Sequence, residues 1–200
     1  MTPRLLAPLL FCFALAAHAS GPERPSRADL QRALELHERS VVRVHGPRRA
    51  GPGVIVGSAG QVLTSVEHVS LEAAEVEFGG KRLPGAVVLA NAYLKIAVVA
   101  APQGSYPSVP VKAQPEDLDG KWLIGVAPGR GKQASHPFTA VARRTKEPFV
   151  DVDLPLAPGT PLFDVQGRLA AVVVQRRAGG CRALPLESVK LQLASTAGSP

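Results

Sequence analysis

Five histidines, two cysteines and a scatter of hydroxyls are the side chains of this 200-residue chain that could do chemistry near neutral pH, and their spacing narrows what that chemistry is. His37, His45 and His136 stand at no metal-ligand spacing from His68, and neither Cys12 nor Cys181 has a partner placed to complete a zinc set. Pro128-Gly129-Arg130-Gly131 reads as turns, because a phosphate cradle needs a strand-to-helix context that is missing here. No metal and no cofactor is therefore expected. What remains is base chemistry at His68, which closes the run Ser65-Val66-Glu67-His68 behind the apolar Val62-Leu63. An imidazole there could take a proton from a hydroxyl if a carboxylate held its tautomer. Without such partners a histidine is a hydrogen-bonded, partly buried structural group.

The elements that must position His68 are short strands. Nineteen prolines and nineteen glycines punctuate a chain that is 46% hydrophobic and 20% charged, a composition that buries one domain or two small subdomains and favours turns over long helices. Strand patterns cover residues 41–44, 54–56 and 61–64, with Ser58-Ala59-Gly60 as a hairpin turn. Further strands are predicted over 75–78, 82–89, 96–100, 122–126, 139–143, 149–152, 169–175 and 182–184. So many short strands at close spacing predict an all-β sandwich or barrel. Residues 101–119, rich in proline and polar groups, are the natural connector between two halves. Ahead of the strands, Leu30, Ala33, Leu34 and Leu36 fall at helical spacing behind Ser26, a good cap, so an amphipathic helix is predicted from residue 28 to just before Ser40. Its stripe packs on the barrel or, if left exposed, on a partner. Residues 186–193 suit a closing helix.

Residues 1–19 read as a targeting segment: Arg4 is basic, residues 5–16 are almost wholly apolar, and Ala17-His18-Ala19 places small residues for cleavage. The mature chain is expected to begin near Ser20 with a polar tether, in the periplasm or outside the cell. The apolar run is short for a span of about 20 residues, and no later stretch is long enough, so no membrane span is expected after cleavage. Cys12 departs with the signal, since Leu9-Leu10-Phe11 lacks the small residue of a lipoprotein site, which leaves Cys181 as an inert core thiol or an intermolecular handle. The formal net charge is +7, one less without Arg4, and its basic groups (Arg48-Arg49, Arg143-Arg144 with Lys146, Arg176-Arg177) are short and scattered. An anionic envelope polymer is allowed as a partner. Nucleic acid is disfavoured by export and by only 4% aromatic residues.

Four segments in order then resemble the trypsin-like serine proteases. Gly51-Pro52-Gly53-Val54-Ile55-Val56 followed by Ser65-Val66-Glu67-His68 is similar to the first barrel with its Ser/Thr-x-x-His stretch. Leu94-Lys95-Ile96-Ala97-Val98-Val99 resembles the strand that carries the triad aspartate. Ala157-Pro158-Gly159-Thr160-Pro161-Leu162 resembles the nucleophile loop, and Cys181-Arg182-Ala183-Leu184-Pro185 the ending of the HtrA-like (Deg) branch. Trp122-Leu123-Ile124-Gly125-Val126-Ala127-Pro128 also resembles that branch. The fit covers about residues 40–193. It implies two six-stranded antiparallel β-barrels of trypsin-like type over 40–101 and 120–185, within a domain of 40–195 that follows the tether and helix of 20–39 and ends in a tail of 196–200. With the sequence ending at Pro200, no peptide-binding PDZ domain is expected to follow.

The resemblance also implies failed catalysis. His68 holds the histidine position, but Lys95 replaces the aspartate and Pro158 the nucleophile. Proline has neither hydroxyl nor N–H, so attacker and oxyanion donor are lost together. Leu156 stands where glycine supplies the other donor, completing an altered loop of Leu156, Ala157, Gly159 and Thr160. An inward Lys95 would lower the His68 pKa by like-charge repulsion. Thr160 and Ser65 carry hydroxyls that such a fold does not aim at a scissile carbonyl. Glu67, adjacent to His68 on an extended segment, faces the other way. Val152 falls near the base of the family's specificity pocket and reads equally as a core residue. The expected protein is an exported pseudoprotease that holds a peptide or protein partner in the degenerate cleft or on its N-terminal helix. The alternatives are a hydrolase with a relocated nucleophile and a basic binder of anionic envelope polymers.

Overall fold

The computed structural model describes residues 24–70, 74–111, 117–129 and 133–197. The targeting segment, the start of the tether, the middle of the connector, Arg130-Gly131 and the end of the tail lie outside the described residues. The chain opens with α1 (Arg27–Ser40), and Ser26 caps it as its position suggested. The Ser26 hydroxyl accepts from Asp29 N at 3.3 Å while the Asp29 carboxylate accepts from Ser26 N at 2.9 Å, a reciprocal capping box. Ala33 and Leu36 are buried, so the apolar stripe packs on the protein's own body.

Strands β1 (Val41–His45), β2 (Ala50–Ile55), β3 (Gln61–Ser65), β4 (Ala74–Phe78), β5 (Lys81–Asn91) and β6 (Ile96–Ala100) close into one antiparallel barrel in the order β1-β2-β3-β6-β5-β4. Strands β7 (Trp122–Ala127), β8 (His136–Arg144), β9 (Val150–Val152), β10 (Pro161–Phe163), β11 (Leu169–Arg177) and β12 (Gly180–Pro185) close a second in the order β10-β11-β12-β9-β8-β7. A final helix, α2 (Leu186–Ala197), follows. The expected turn between β2 and β3 forms with Gly60 at φ +91° and its N–H on Gly57 O at 2.9 Å, a conformation that glycine adopts without a Cβ clash.

Alternation along the strands sorts the apolar residues into three cores. Ile55, Val62 and Val99 fill the first barrel, while Val54, Leu63 and Val98, one residue away on the same strands, face outward into a shared core with Ile124, Phe163, Val172 and Leu184. Leu36 of α1 and Val189 of α2 join that shared core. The second barrel encloses Leu123, Val152, Leu156, Leu162, Val173 and Cys181, which makes Val152 a core residue. β6 buries both faces and reads as a continuous apolar run, while β3, also buried on both faces, carries Thr64 and Ser65 inward beside Val62 and Leu63.

Two elements depart from the sequence reading. β2 begins at Ala50 and runs through Gly51-Pro52-Gly53, residues whose strand propensity is poor. Gly53 serves there because an added Cβ would meet Val62 Cγ1 at 2.7 Å and Val44 Cγ2 at 2.8 Å, inside the packed barrel. β10 falls where the resemblance implies the nucleophile loop. It is a three-residue strand, wholly buried and paired with β7 and β11, too short to show a period. Phe163 is among the largest fully buried side chains and lies in the shared core. Phe163→Ala is expected to destabilise the protein by about 3–5 kcal/mol, seen as a lower urea midpoint with unchanged slope.

Candidate functional site

β3 delivers His68 through a short 3-10 turn, Val66–His68. Ser65 is buried and its hydroxyl caps the turn, accepting from Glu67 N at 3.3 Å. Lys95 holds the other side of the turn: its carbonyl accepts from Val66 N at 3.2 Å, and its backbone sits in the left-handed region at φ 58°. His68, 5% exposed, packs its ring against Gly51, where an added Cβ would come within 2.1 Å of Cε1 and 2.2 Å of Nε2.

Thr64 supplies the ring's partner. Its hydroxyl donates to the Pro52 carbonyl at 2.7 Å and lies 3.1 Å from His68 Nδ1. With its single proton committed to Pro52, the hydroxyl meets the ring as an acceptor, so the neutral imidazole carries its proton on Nδ1 and its lone pair on Nε2. Burial is the main reason that the ring resists charging; Glu67 and the Pro52 carbonyl oppose that effect, and Arg49 reinforces it. Lys95 is not among the charged groups acting on His68; the cation that does act on it is Arg49. The account of Glu67 is corrected too. It stands on a 3-10 turn rather than an extended segment, lies 3.5 Å from Arg49, and favours charging of the ring.

The loop between β9 and β10 approaches from the second barrel. Leu156, 1% exposed, points into that barrel's core, and its N–H is used by Leu154 O at 2.9 Å. Ala157, Pro158, Gly159 and Thr160 form a tight turn closed by Thr160 N on Ala157 O at 3.2 Å. Proline followed by a glycine at φ +86° is what a type II turn requires at its two central positions. Gly159 N donates to Val173 O at 2.7 Å, so of the N–H groups in this four-residue turn that of Ala157 is the one with no partner among the described residues. Gly159 packs so tightly on β2 that an added Cβ would meet Pro52 O at 2.1 Å and Thr64 Oγ1 at 3.1 Å. The loop and the imidazole are thus joined through Pro52 and Thr64. Thr160 is 2% exposed, and no hydrogen bond links it to His68 among the described residues.

No protein-family profile matches this sequence, and no curated protein matches it. Solved structures do. A serine endoprotease from Yersinia pestis superposes with a TM-score of 0.72 at 18% identity, covering 87% of this chain and 68% of its own. The Rv3671c protease in an inactive form gives 0.69 at 20% identity over 89% of this chain and 99% of that one. Its serine-to-alanine mutant from M. tuberculosis H37Rv gives 0.69 at 20% identity over 90% and 98%. The fold is that of the trypsin-like serine proteases.

On this trypsin-like frame, sequence reasoning located His68 and the turn but missed Thr64, Gly51 and His37. Thr64 had a legible signal, since it precedes Ser65 and must face the opposite side of β3. His37 had been set aside for lack of metal spacing; its ring lines a cavity beside the turn, and its Nδ1 is buried without a partner. Cys181 is a sealed core thiol, and burial pushes its pKa up to about 12.

Two outcomes follow from this packing. Gly51→Ala forces the His68 ring or the strand aside and is expected to cost about 1–3 kcal/mol, with a displaced imidazole resonance by NMR. Burial lowers the His37 pKa from 6.5 to about 4, so within that window the unfolded state binds more protons and stability falls as pH is lowered. That contribution is complete above the upper value, is lost by the lower one, and amounts to something on the order of 3 kcal/mol. Urea midpoints of His37→Phe at about pH 7 and 4.5 are expected to differ less than those of the parent.

Proposed function

We propose that this chain is an exported, non-catalytic protein of the trypsin-like fold that binds a peptide or protein partner in the cleft between its barrels. The observation that carries this reading is the turn at Pro158, a residue with neither hydroxyl nor N–H, where the Gly159 and Thr160 amides are spent internally and Ala157 N–H alone is left. In this reading His68 occupies the base position, Lys95 the orienting position and Pro158 the attacking position. A buried imidazole facing a threonine hydroxyl keeps a defined tautomer. No carboxylate hydrogen-bonds its Nδ1, where Thr64 sits instead, and Glu67 favours the charged ring only through space. An oxyanion would find one free amide at the turn, and losing a single donor reduces rate by about 10²–10³. Residues 1–19 support export.

The polyanion-binding alternative loses weight because part of each basic group is answered locally. Arg143 pairs with Asp153 at 2.9 Å, Arg177 with Asp151 at 3.7 Å, and Arg144 with Asp117. Purified protein is expected to leave casein intact and to resist a fluorophosphonate probe at any pH from about 5 to 9. Turnover or labelling that disappears in His68→Ala would overturn the non-catalytic reading. If activity is instead lost in Thr160→Ala with folding intact, a relocated nucleophile is at work.

A further inference from the structure

The outer faces of β1 and β2 meet α1, the end of β7 and the turn at Ala157 around a cavity of about 290 Å³. Its walls are mostly apolar, with Val41, Pro52, Val126 and Pro128 among them. Three residues of that lining carry polar side chains, His37, Arg43 and the buried Thr160.

Arg43 is an exposed cation with no ion-pair partner among the described residues. Strand β1 buries Val42 and Val44 and turns Arg43 outward, opposite Pro52 of β2. Its acidic neighbour across β4 is Glu77, and that carboxylate is taken by His45 Nε2 at 2.7 Å. No carboxylate among the described residues comes within ion-pair distance of the Arg43 guanidinium. His37 presents an uncharged ring, because burial keeps it neutral down to about pH 4. Its Nδ1 is sealed without a partner, and a sealed N–H lacking an acceptor costs more than a sealed lone pair. The ring proton therefore resides on Nε2, which makes that edge a hydrogen-bond donor.

We infer that this cavity receives the C-terminal residue of a peptide whose last side chain is apolar, with the terminal carboxylate held by Arg43 and His37. The inference rests on the peptide-binding reading above and names the group that the cleft takes. An apolar wall with a guanidinium and a neutral donor matches an apolar body that ends in an anion; a cationic or wholly polar group would leave the walls unused and meet Arg43 with like charge. The volume lies at the bottom of the range for ligand pockets, about 300–1,000 Å³, which suits one residue and excludes a long acyl chain.

The test is calorimetric titration of the purified chain with acetyl-Ala-Ala-Leu bearing a free carboxylate and with its C-terminal amide. The acid is expected to bind at least about tenfold more tightly than the amide. Arg43→Gln, an exposed change that leaves the barrel core alone, is expected to bring the acid down to the amide's affinity. Ala157→Leu, which fills the cavity from the turn, is expected to weaken both. Equal binding of acid and amide, or a preference that survives Arg43→Gln, overturns the inference while leaving a peptide-binding cleft standing. Absence of heat with either peptide up to about 10 mM overturns it as well, and a longer internal peptide that still binds shows that the broader reading has not failed with it.

Discussion

Gly159 lies so close to the Pro52 carbonyl that no side chain fits between the second barrel's turn and the first barrel's strand. That approach fixes the position of everything around it. The Pro52 carbonyl also receives the Thr64 hydroxyl, and the same hydroxyl meets His68 Nδ1, so a rigid chain of contacts runs from the turn to the imidazole. The shared core beneath, with Val54 and Leu63 on one side and Phe163 and Val172 on the other, holds the two barrels at the separation which that contact needs. Such close packing transmits a one-atom change directly, because there is no void to absorb it.

The chemistry of the site follows from what each group has already committed. A threonine hydroxyl with its proton on a carbonyl can fix the imidazole's tautomer, yet it brings no negative charge to balance an imidazolium. Burial acts in the same direction by disfavouring the charged ring. On the opposite side the turn uses its amides to close itself and to bind β11. Proline at the first central position and glycine at the second make that turn stable by conformation alone, with no contribution from a ligand. The result is a well-ordered cleft whose polar groups are largely satisfied, beside a cavity in which His37 and Arg43 are not.

Lys95 illustrates how position and side chain separate. Its place in the chain matters through its carbonyl, which anchors the turn carrying His68, and through a left-handed backbone that lets β5 return into β6. Its charge is not among the influences on the imidazole, where burial comes first and Glu67 and Arg49 act through space. Distance in the fold rather than correspondence along a motif sets the electrostatics, since interactions between charges weaken quickly with separation in water.

Much of the architecture was legible in the residues themselves. The capped helix, the hairpin glycine at Gly60 and the valine-rich runs of β1 and β6 are local signals, each written within a few neighbouring residues. The succession of motifs around His68, Lys95 and Pro158 was enough to anticipate two trypsin-like barrels. What the sequence could not settle were contacts between residues far apart in it: Thr64 and Pro52 beneath Gly159, the glycine at Gly51 that makes room for a ring, and His37 brought from the helix to a cavity walled by both barrels. Those depend on how two closed barrels pack, and packing is decided by the whole set of buried side chains at once.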